Sequence, residues 1–175
     1  MKTINRIQSD LLYLTPVTKD DADLFVEIYT DPQIMQHVGP ALNYDAAMIL
    51  FNQCLEQITS KQPKNLFYVI KSTHTDEKFG IIGLMWNQPK KTSVELGVMI
   101  ALPYINKAYA YKATNILVQH VFTELDVESI VVTCNESNVG ANRVSRALGF
   151  ENKNTFVDKN TNQRKIDWKI TAAKL

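Results

Sequence analysis

The sequence predicts an α+β fold: one mixed, mostly antiparallel central sheet flanked by about four helices. Three observations predict it. The middle of the chain carries three β-rich runs separated by short turn clusters, which is typical of an antiparallel meander. Apolar residues at helical spacing lie before and after this meander. Two further β-rich runs close the chain, so strands and helices do not simply alternate.

The first third of the chain predicts one strand and two helices. Leu11–Pro16 alternates apolar and polar residues, as a strand does. Thr18 stands three residues before Asp21, which marks a helix start, and Asp31–Pro32 should end that helix. A second helix is predicted from Asp45 to Ile58. The residues predicted to face inward are Ala22, Phe25, Val26 and Tyr29 in the first helix, and Ala46, Ile49, Leu50, Cys54 and Ile58 in the second.

The rest of the chain predicts the sheet and two more helices. The meander strands are Phe67–Lys71, Phe79–Trp86 and Ser93–Ile100, with turns at Thr73–Lys78 and Asn87–Lys91. The elements predicted after them are a helix with Ala113, Ile116, Leu117, His120 and Val121 on one face, a buried strand at Ser129–Cys134, a helix at Gly140–Leu148 ended by Gly149, and a hairpin of Phe150–Val157 and Lys165–Thr171.

Composition favours a single globular domain over residues 1–175, since 45% of the residues are hydrophobic and 21% are charged. Lys and Arg number 19 against 18 Asp and Glu, so we expect neither nucleic acid nor an anionic membrane as a partner. Cys54 and Cys134 are isolated, and the histidines His37, His74 and His120 are scattered, which predicts reduced thiols and no metal site. With a polar N-terminus and no long apolar run, the expected location is cytoplasmic.

Glu95 is the one ionisable residue in an otherwise apolar predicted strand, Val94–Ile100. A period of two places Glu95, Gly97 and Met99 on one face of that strand. An unpaired carboxylate is costly to bury, so Glu95 should face solvent, a partner or a cleft. Two interpretations stay open at this point: a group that handles protons in a cleft, or a carboxylate on a partly exposed face.

The segment Pro103–Ala113 joins this strand to the next helix. Free amides and the helix dipole make a helix N-terminus able to bind an anion. Every strand-to-helix turn offers such amides, so this pattern alone does not establish a phosphate site. Tyr104, Tyr109 and Tyr111 crowd the segment. They either pack on the core or line the surface, or one of them serves as the acid or stacks on the adenine.

Several spaced motifs, taken together, carry a family resemblance. The run VELGVMI is followed by a Pro-Tyr loop, a helix and the pattern NxxxNRVxRALGF from Asn138 to Phe150. The chain also opens with LxLxPxTxxDAD and then Asp31–Pro32. From about Leu11 to Trp168 the sequence therefore resembles the GNAT superfamily of acyl-CoA-dependent N-acetyltransferases, and within it the Rim-type branch that acetylates ribosomal-protein N-termini.

The resemblance implies a sheet that is splayed open where the Glu95 strand and Ser129–Cys134 run parallel. It implies that acetyl-CoA, as co-substrate and without a metal, lies in this gap. The residues it assigns to the cofactor are Met99, Ile100 and Ala101 and an asparagine matching Asn138 for the pantetheine, and the amides of Asn106, Lys107, Ala108, Tyr109, Ala110 and Tyr111 for the pyrophosphate.

The resemblance also implies the reaction, in which a neutral primary amine attacks the thioester directly. A base or a water path must deprotonate the amine, and Glu95 is its candidate. The acceptor is a peptide N-terminus or a small molecule, with His37, Asn135 and Trp168 as candidate binding residues. The alternative for both His37 and Trp168 is a structural role, His37 as a structural or solvated loop residue and Trp168 as a core or rim aromatic. Both a monomer and a homodimer remain open.

The cofactor loop departs from the family pattern, usually Arg-Gly-Lys-Gly-Tyr-Ala, and reads INKAYA from Ile105 to Ala110. Asn106 tolerates left-handed geometry, whereas Ala108 adds a methyl group where a phosphate would sit. Ala141 and Ala147 replace a common Ser and Lys. Two alternative functions follow from these departures and from the fold: a non-catalytic binding or regulatory module, and an interaction protein that grips a peptide at a sheet edge or in the splay.

Overall fold

The computed structural model describes residues 6–60, 63–86 and 92–174. Within them the chain forms eight strands, all in one sheet, and five helices. The strands are β1 (Ile7–Gln8), β2 (Leu12–Pro16), β3 (Asn65–Ser72), β4 (Lys78–Met85), β5 (Ser93–Ile100), β6 (Ser129–Asn135), β7 (Glu151–Val157) and β8 (Arg164–Thr171). The helices are α1 (Ala22–Thr30), α2 (Pro32–Met35), α3 (Tyr44–Thr59), α4 (Tyr109–Glu124) and α5 (Val139–Ala147).

The strand order is β1-β2-β3-β4-β5-β6-β8-β7, and β5 and β6 are parallel whereas the other neighbours are antiparallel. A parallel pair needs a long crossover, which α4 supplies. β5 and β6 pair only from Ser93 opposite Ser129 to Glu95 opposite Val131, and both strands then continue unpaired with each other. The predicted mixed sheet, splayed at one parallel pair, is confirmed.

Helices cover both faces of the sheet. Leu117 of α4 packs on one face together with Val94, Leu96 and Ile130. On the other face, α1 and α3 form a second core cluster around Phe25 and Phe51, over strands β3 and β4. Alternate residues of β5 therefore point toward two different layers, which decides the direction of Glu95.

One predicted packing face is wrong. Ile49 of α3 was expected to face inward, but 60% of its surface is exposed. The buried residues of that helix are Ala47, Phe51 and Cys54. The helix is apolar at many consecutive positions, so two stripes fit its pattern. The stripe with Phe51 is buried because its ring packs at 5.3 Å from that of Phe25 in α1, and an aromatic ring buries more surface than Ile.

Two elements, β1 and α2, were not predicted. The pair Asp31–Pro32, taken as the end of a helix, also begins the next one, because the Asp31 carboxylate accepts the N–H groups of Gln33 at 2.7 Å and Ile34 at 3.0 Å. Proline suits the first turn of a helix, where its missing N–H is not needed. The turn predicted at residues 87–91 lies outside the described residues.

Both cysteines are buried free thiols, and burial raises the pKa of Cys54 to about 11. None of the described helices has the length and apolar character needed to cross a membrane.

Candidate active site

The candidate site is the gap between β5 and β6 beyond Glu95 and Val131. On the β5 wall, the Ala101 N–H donates to the Phe79 carbonyl of β4 at 3.0 Å. Peptide groups alternate in direction along an antiparallel pair, so Met99 and Ala101 direct theirs toward β4. Val98 and Ile100 direct theirs into the gap. Of the three backbone positions predicted for the cofactor, Ile100 can therefore present its peptide groups there, together with Val98, which the sequence had not indicated.

The β6 wall offers backbone groups in the same way. The Glu136 N–H donates to the Arg164 carbonyl of β8 at 2.9 Å, so the alternation directs the peptide groups of Thr133 and Asn135 into the gap. The Asn135 carbonyl already accepts the Asn138 N–H at 2.9 Å. An extended ligand in the gap would thus meet hydrogen-bonding backbone on both walls.

Two helix N-termini lie at the mouth of the gap. Helix α4 follows β5 and begins at Tyr109, and α5 follows β6 and begins at Val139. The C-terminal ends of parallel strands lie at the same edge of a sheet, so both helices start at that edge. Their free N–H groups and dipoles favour a negatively charged ligand group there.

The loop before α4 has an uncommon backbone. Asn106 has φ 65° and Ala108 has φ 61°, both in the left-handed region. These are the two positions at which the resembling family usually has glycine. The loop therefore keeps a backbone suited to glycine while carrying two side chains. Left-handed residues next to right-handed ones turn successive amides toward a common concave side, which is a known geometry for anion binding.

Aromatic stacking holds this loop against the sheet. The Tyr109 ring stacks on Phe79 of β4 with centroids 4.0 Å apart, and the Tyr104 ring lies 4.9 Å from the same phenylalanine. Burial and the nearby Glu77 carboxylate raise the pKa of Tyr104. Tyr111 is the most exposed of the three tyrosines of the loop, at 38%. The packing interpretation therefore accounts for Tyr104 and Tyr109.

The turn between β6 and α5 is held by two asparagines. Asn138, predicted for the cofactor, is the N-cap of α5, and its Oδ1 accepts the Ala141 N–H at 3.0 Å. Asn142, which sequence reasoning missed, is only 3% exposed. The carbonyls that accept its Nδ2 hydrogens are those of Asn135 and Glu136, both at 3.1 Å, and of Asn138 at 2.8 Å.

Trp168 acts on this turn from the core. Its indole N–H donates to Asn142 Oδ1 at 2.8 Å, and the Cys134 thiol donates to the same oxygen at 3.3 Å. Burial raises the pKa of Cys134, which keeps this donor protonated. Trp168 is 5% exposed, so the structure places it beneath the turn and does not bring it together with the other candidate acceptor residues.

The acceptor side is the sheet face opposite α4. Val94 and Leu96 belong to the α4 core, so Glu95, half-buried, faces the other way. Asn135 lies on that same face, since its Nδ2 donates to the His37 carbonyl in the loop after α2 at 3.2 Å. The structure thus joins His37 to Asn135, on the side of the sheet where Glu95 points.

Asp167 of β8 is a further acidic residue on this face that was not predicted. The Thr133 hydroxyl of β6 donates to its Oδ1 at 2.9 Å. Its neighbours Ile166 and Trp168 belong to the opposite core. The alternation of apolar and charged residues in β8 could have shown that Asp167 faces away from that core. In the described ranges, no group of three or more His, Cys, Asp or Glu side chains is placed to hold a metal ion.

Comparisons with known proteins agree with this geometry. Residues 12–151 match the family model described as an acetyltransferase (GNAT) domain. The N-acetyltransferase p20 of Bacillus licheniformis is 21% identical over 154 residues, which cover 87% of this chain and 85% of that protein.

Two solved structures share the fold. The spermidine N-acetyltransferase of Vibrio cholerae, in complex with CoA and spermine, has a TM-score of 0.82 at 18% identity and covers 95% of this chain and 98% of its own. RimL, a ribosomal L7/L12 alpha-N-protein acetyltransferase in complex with coenzyme A, has a TM-score of 0.82 at 12% identity with the same coverage. At such identities the likeness concerns the fold alone.

Proposed function

The chain belongs to the GNAT family of acetyltransferases, and from this premise we propose that it transfers an acetyl or other acyl group from acetyl-CoA to a primary amine. The observation that carries the proposal is the β5–β6 gap, which has the peptide groups of Val98, Ile100 and Thr133 directed into it and two helix N-termini at its mouth. An acyl-CoA has the matching chemistry: an extended amide-containing arm and an anionic pyrophosphate.

The residues along the gap fit this co-substrate. The peptide groups of Val98 and Ile100 are positioned to pair with the pantetheine amides. The amides of residues 107–111 would bind the pyrophosphate, and Asn138 keeps its Nδ2 available for the arm while its Oδ1 caps α5. Structural neighbours that contain CoA support this assignment.

The proposed reaction is a direct transfer. The nitrogen of a neutral amine forms a bond to the thioester carbon as the carbon–sulfur bond breaks. The amine proton passes to Glu95, directly or through water, and the departing thiolate takes up a proton. His37 and Asn135 would line the acceptor side, and Trp168 would act through Asn142. Neighbours named for spermidine and for a ribosomal protein support both a small amine and a peptide N-terminus, the latter as in the Rim-type branch.

Replacing Glu95 by Gln tests the base. The substitution keeps the size of the side chain, so we expect kcat to fall about 10²–10⁴-fold with little change in acetyl-CoA affinity. The matched control is Glu128→Gln, which removes the same charge from an exposed residue just before β6. Initial rates measured from pH 6 to 9 with a reactive amine give the comparison. Equal turnover of Glu95→Gln and wild type at every pH would show that Glu95 is only a surface carboxylate.

A second candidate function is a non-catalytic CoA-binding or regulatory module. Ala108 favours this function, because its methyl group stands on a left-handed residue at the proposed phosphate site. Ile105, which stands where the family pattern has arginine, favours it too. Calorimetric titration with acetyl-CoA and with CoA separates the two. Binding with turnover supports the enzyme, whereas binding of both ligands without turnover on any amine supports the module.

A further inference from the structure

Asn135 carries a buried acceptor that lacks a donor. The residue is 4% exposed, and its Oδ1 has no hydrogen-bond partner within the described part of the chain. Its orientation is determined, because the Nδ2 donates to the His37 carbonyl at 3.2 Å and a flipped amide would set two oxygens against each other. A buried acceptor without a donor is costly, and a water molecule, an ion or a ligand that donates to it removes that cost.

Asp167 adds a negative charge on the same face. Its Oδ1 accepts the Thr133 hydroxyl at 2.9 Å, and no cationic side chain of the described residues lies within 4.0 Å of its carboxylate. The neighbouring cation on β8, Lys165, is instead bound to Asp158 at 2.6 Å. Lys169, the other cation on this face of β8, stands opposite Glu151 of β7.

These groups lie along one face between β8 and the gap. Asp167 stands opposite Thr133, two residues before Asn135 on β6. Glu95 stands opposite Val131, which is itself opposite Lys169. With strands about 4.8 Å apart and about 3.4 Å per residue, the Cα atoms of Asp167 and Glu95 are roughly 12 Å apart. Asn135 and Asp167 both accept hydrogen bonds, so a group that binds them should be a hydrogen-bond donor with a positive charge.

We infer that Asp167 and Asn135 bind a second, non-reacting ammonium group of the acceptor, so that the preferred acceptor is a small diamine or polyamine. The inference rests on the proposed acyl transfer and names its substrate class. One nitrogen of the acceptor reacts beside Glu95, and a second nitrogen, still protonated, donates to the Asn135 amide oxygen and pairs with the Asp167 carboxylate. Thr133 orients that carboxylate.

The test compares acceptors that differ by one charge. Wild-type kcat/KM is measured for spermidine, for putrescine and for the monoamine pentylamine, which matches putrescine in length. We expect the two polycations to be preferred by roughly tenfold or more, as for a charge-assisted hydrogen bond discounted for its partial exposure. Asp167→Asn should remove most of that preference through KM and leave pentylamine unchanged.

Two further variants keep the test decisive. Asp167→Glu retains the charge and should retain the preference, which covers the case in which the Asn variant folds poorly. Asp126→Asn removes one carboxylate from an exposed site before β6 and should change no acceptor's kcat/KM. A wild type that does not distinguish putrescine from pentylamine, or an Asp167→Asn that slows all acceptors equally, would overturn the inference.

Failure of the proposed function can be told apart from failure of this subsite. Absence of acetylation of every amine, pentylamine included, would count against acyl transfer itself. In that case, equilibrium titration of spermidine into the protein saturated with CoA decides the subsite separately. Binding that Asp167→Asn weakens about tenfold supports it, and equal binding by wild type and variant refutes it.

Discussion

Ala108 is the residue at which the loop is most sensitive to a single methyl group. It holds φ 61° and ψ 11° and accepts the Lys112 N–H at 3.1 Å at the start of α4. A residue with a Cβ in this region loses about 1–2 kcal/mol relative to the right-handed one, a cost that glycine does not have. Glycine also makes the unfolded chain freer, which costs about 0.4–1 kcal/mol. Ala108→Gly should therefore stabilise the protein by about 0.8 kcal/mol, or raise Tm by roughly 2–3 °C.

Ala110→Gly is the matched control. The chemical change is the same, but Ala110 lies inside the first turn of α4, where glycine costs up to about 1 kcal/mol. The two variants should therefore shift the urea midpoint in opposite directions at an unchanged m-value. An Ala108→Gly protein that is less stable than the wild type would refute the assignment of strain to this residue.

The same variant tests the loop as a CoA site. Removing the methyl group opens the approach to the amides of residues 107–111, so we expect Ala108→Gly to bind acetyl-CoA more tightly. Adding Ile105→Arg supplies a charge-assisted hydrogen bond of about 1.5–3 kcal/mol, or one to two decades in Kd. Titrations are compared at one salt concentration, since screening weakens such contacts. Unimproved binding would mean that the loop is already adapted to its ligand, and no binding in any variant would argue against the proposed CoA site.

Two further residues give predictions for stability. Burial alone would raise the pKa of Asp21, but Lys78, at 2.7 Å, and the Thr18 donors outweigh it and hold the pKa below its ordinary value. The stability that this carboxylate contributes is thus present above about pH 4 and is lost as the pH falls further. Urea titrations of Asp21→Asn should show a loss of about 2 kcal/mol in the free energy of unfolding at pH 7, and this loss should shrink below pH 4. The control is Asp20→Asn at an exposed position. Asn142→Leu should lower the free energy of unfolding by about 3 kcal/mol and weaken CoA binding, because buried groups of the β6–α5 turn lose their hydrogen-bond partner. A variant as stable as the wild type would show that the turn does not need Asn142.

The sequence predicted the elements whose pattern is local. Ser93–Ile100 has the predicted bounds because its strand period is uninterrupted and turn residues precede it. The prediction for the inward face of α3 is wrong at Ile49. The helix is apolar on several sides, so packing against the rest of the fold, here against Phe25, determines which side is buried. Asp31–Pro32 was interpreted only as a stop, although the same two residues also start α2.

The candidate site divides in the same way. The direction of Glu95 follows from strand alternation, and the uncommon backbone at Asn106 and Ala108 lies where the pattern of the resembling family usually has glycine. Asn142 carried no local signal, and for Asp167 the alternation within β8 indicated only the direction of the side chain. The contacts of both residues form only when β6, α5 and β8 pack together. Asn142 and its partner Trp168, for example, are more than twenty residues apart in the sequence.

The short β5–β6 ladder divides the backbone hydrogen bonding of the sheet into two parts. Five strands form one part and three form the other, and within the described residues only three facing residue pairs join them in the sheet, while a shared apolar core packs across both. A ligand that hydrogen-bonds to both walls would connect β5 to β6 beyond their ladder, in the position that a further strand would occupy. Ligand binding should therefore slow the hydrogen exchange of the Val98 and Ile100 amides. The effect should be larger than for amides in strands that are already paired on both sides. Part of the rigidity of the sheet would thus depend on the bound ligand.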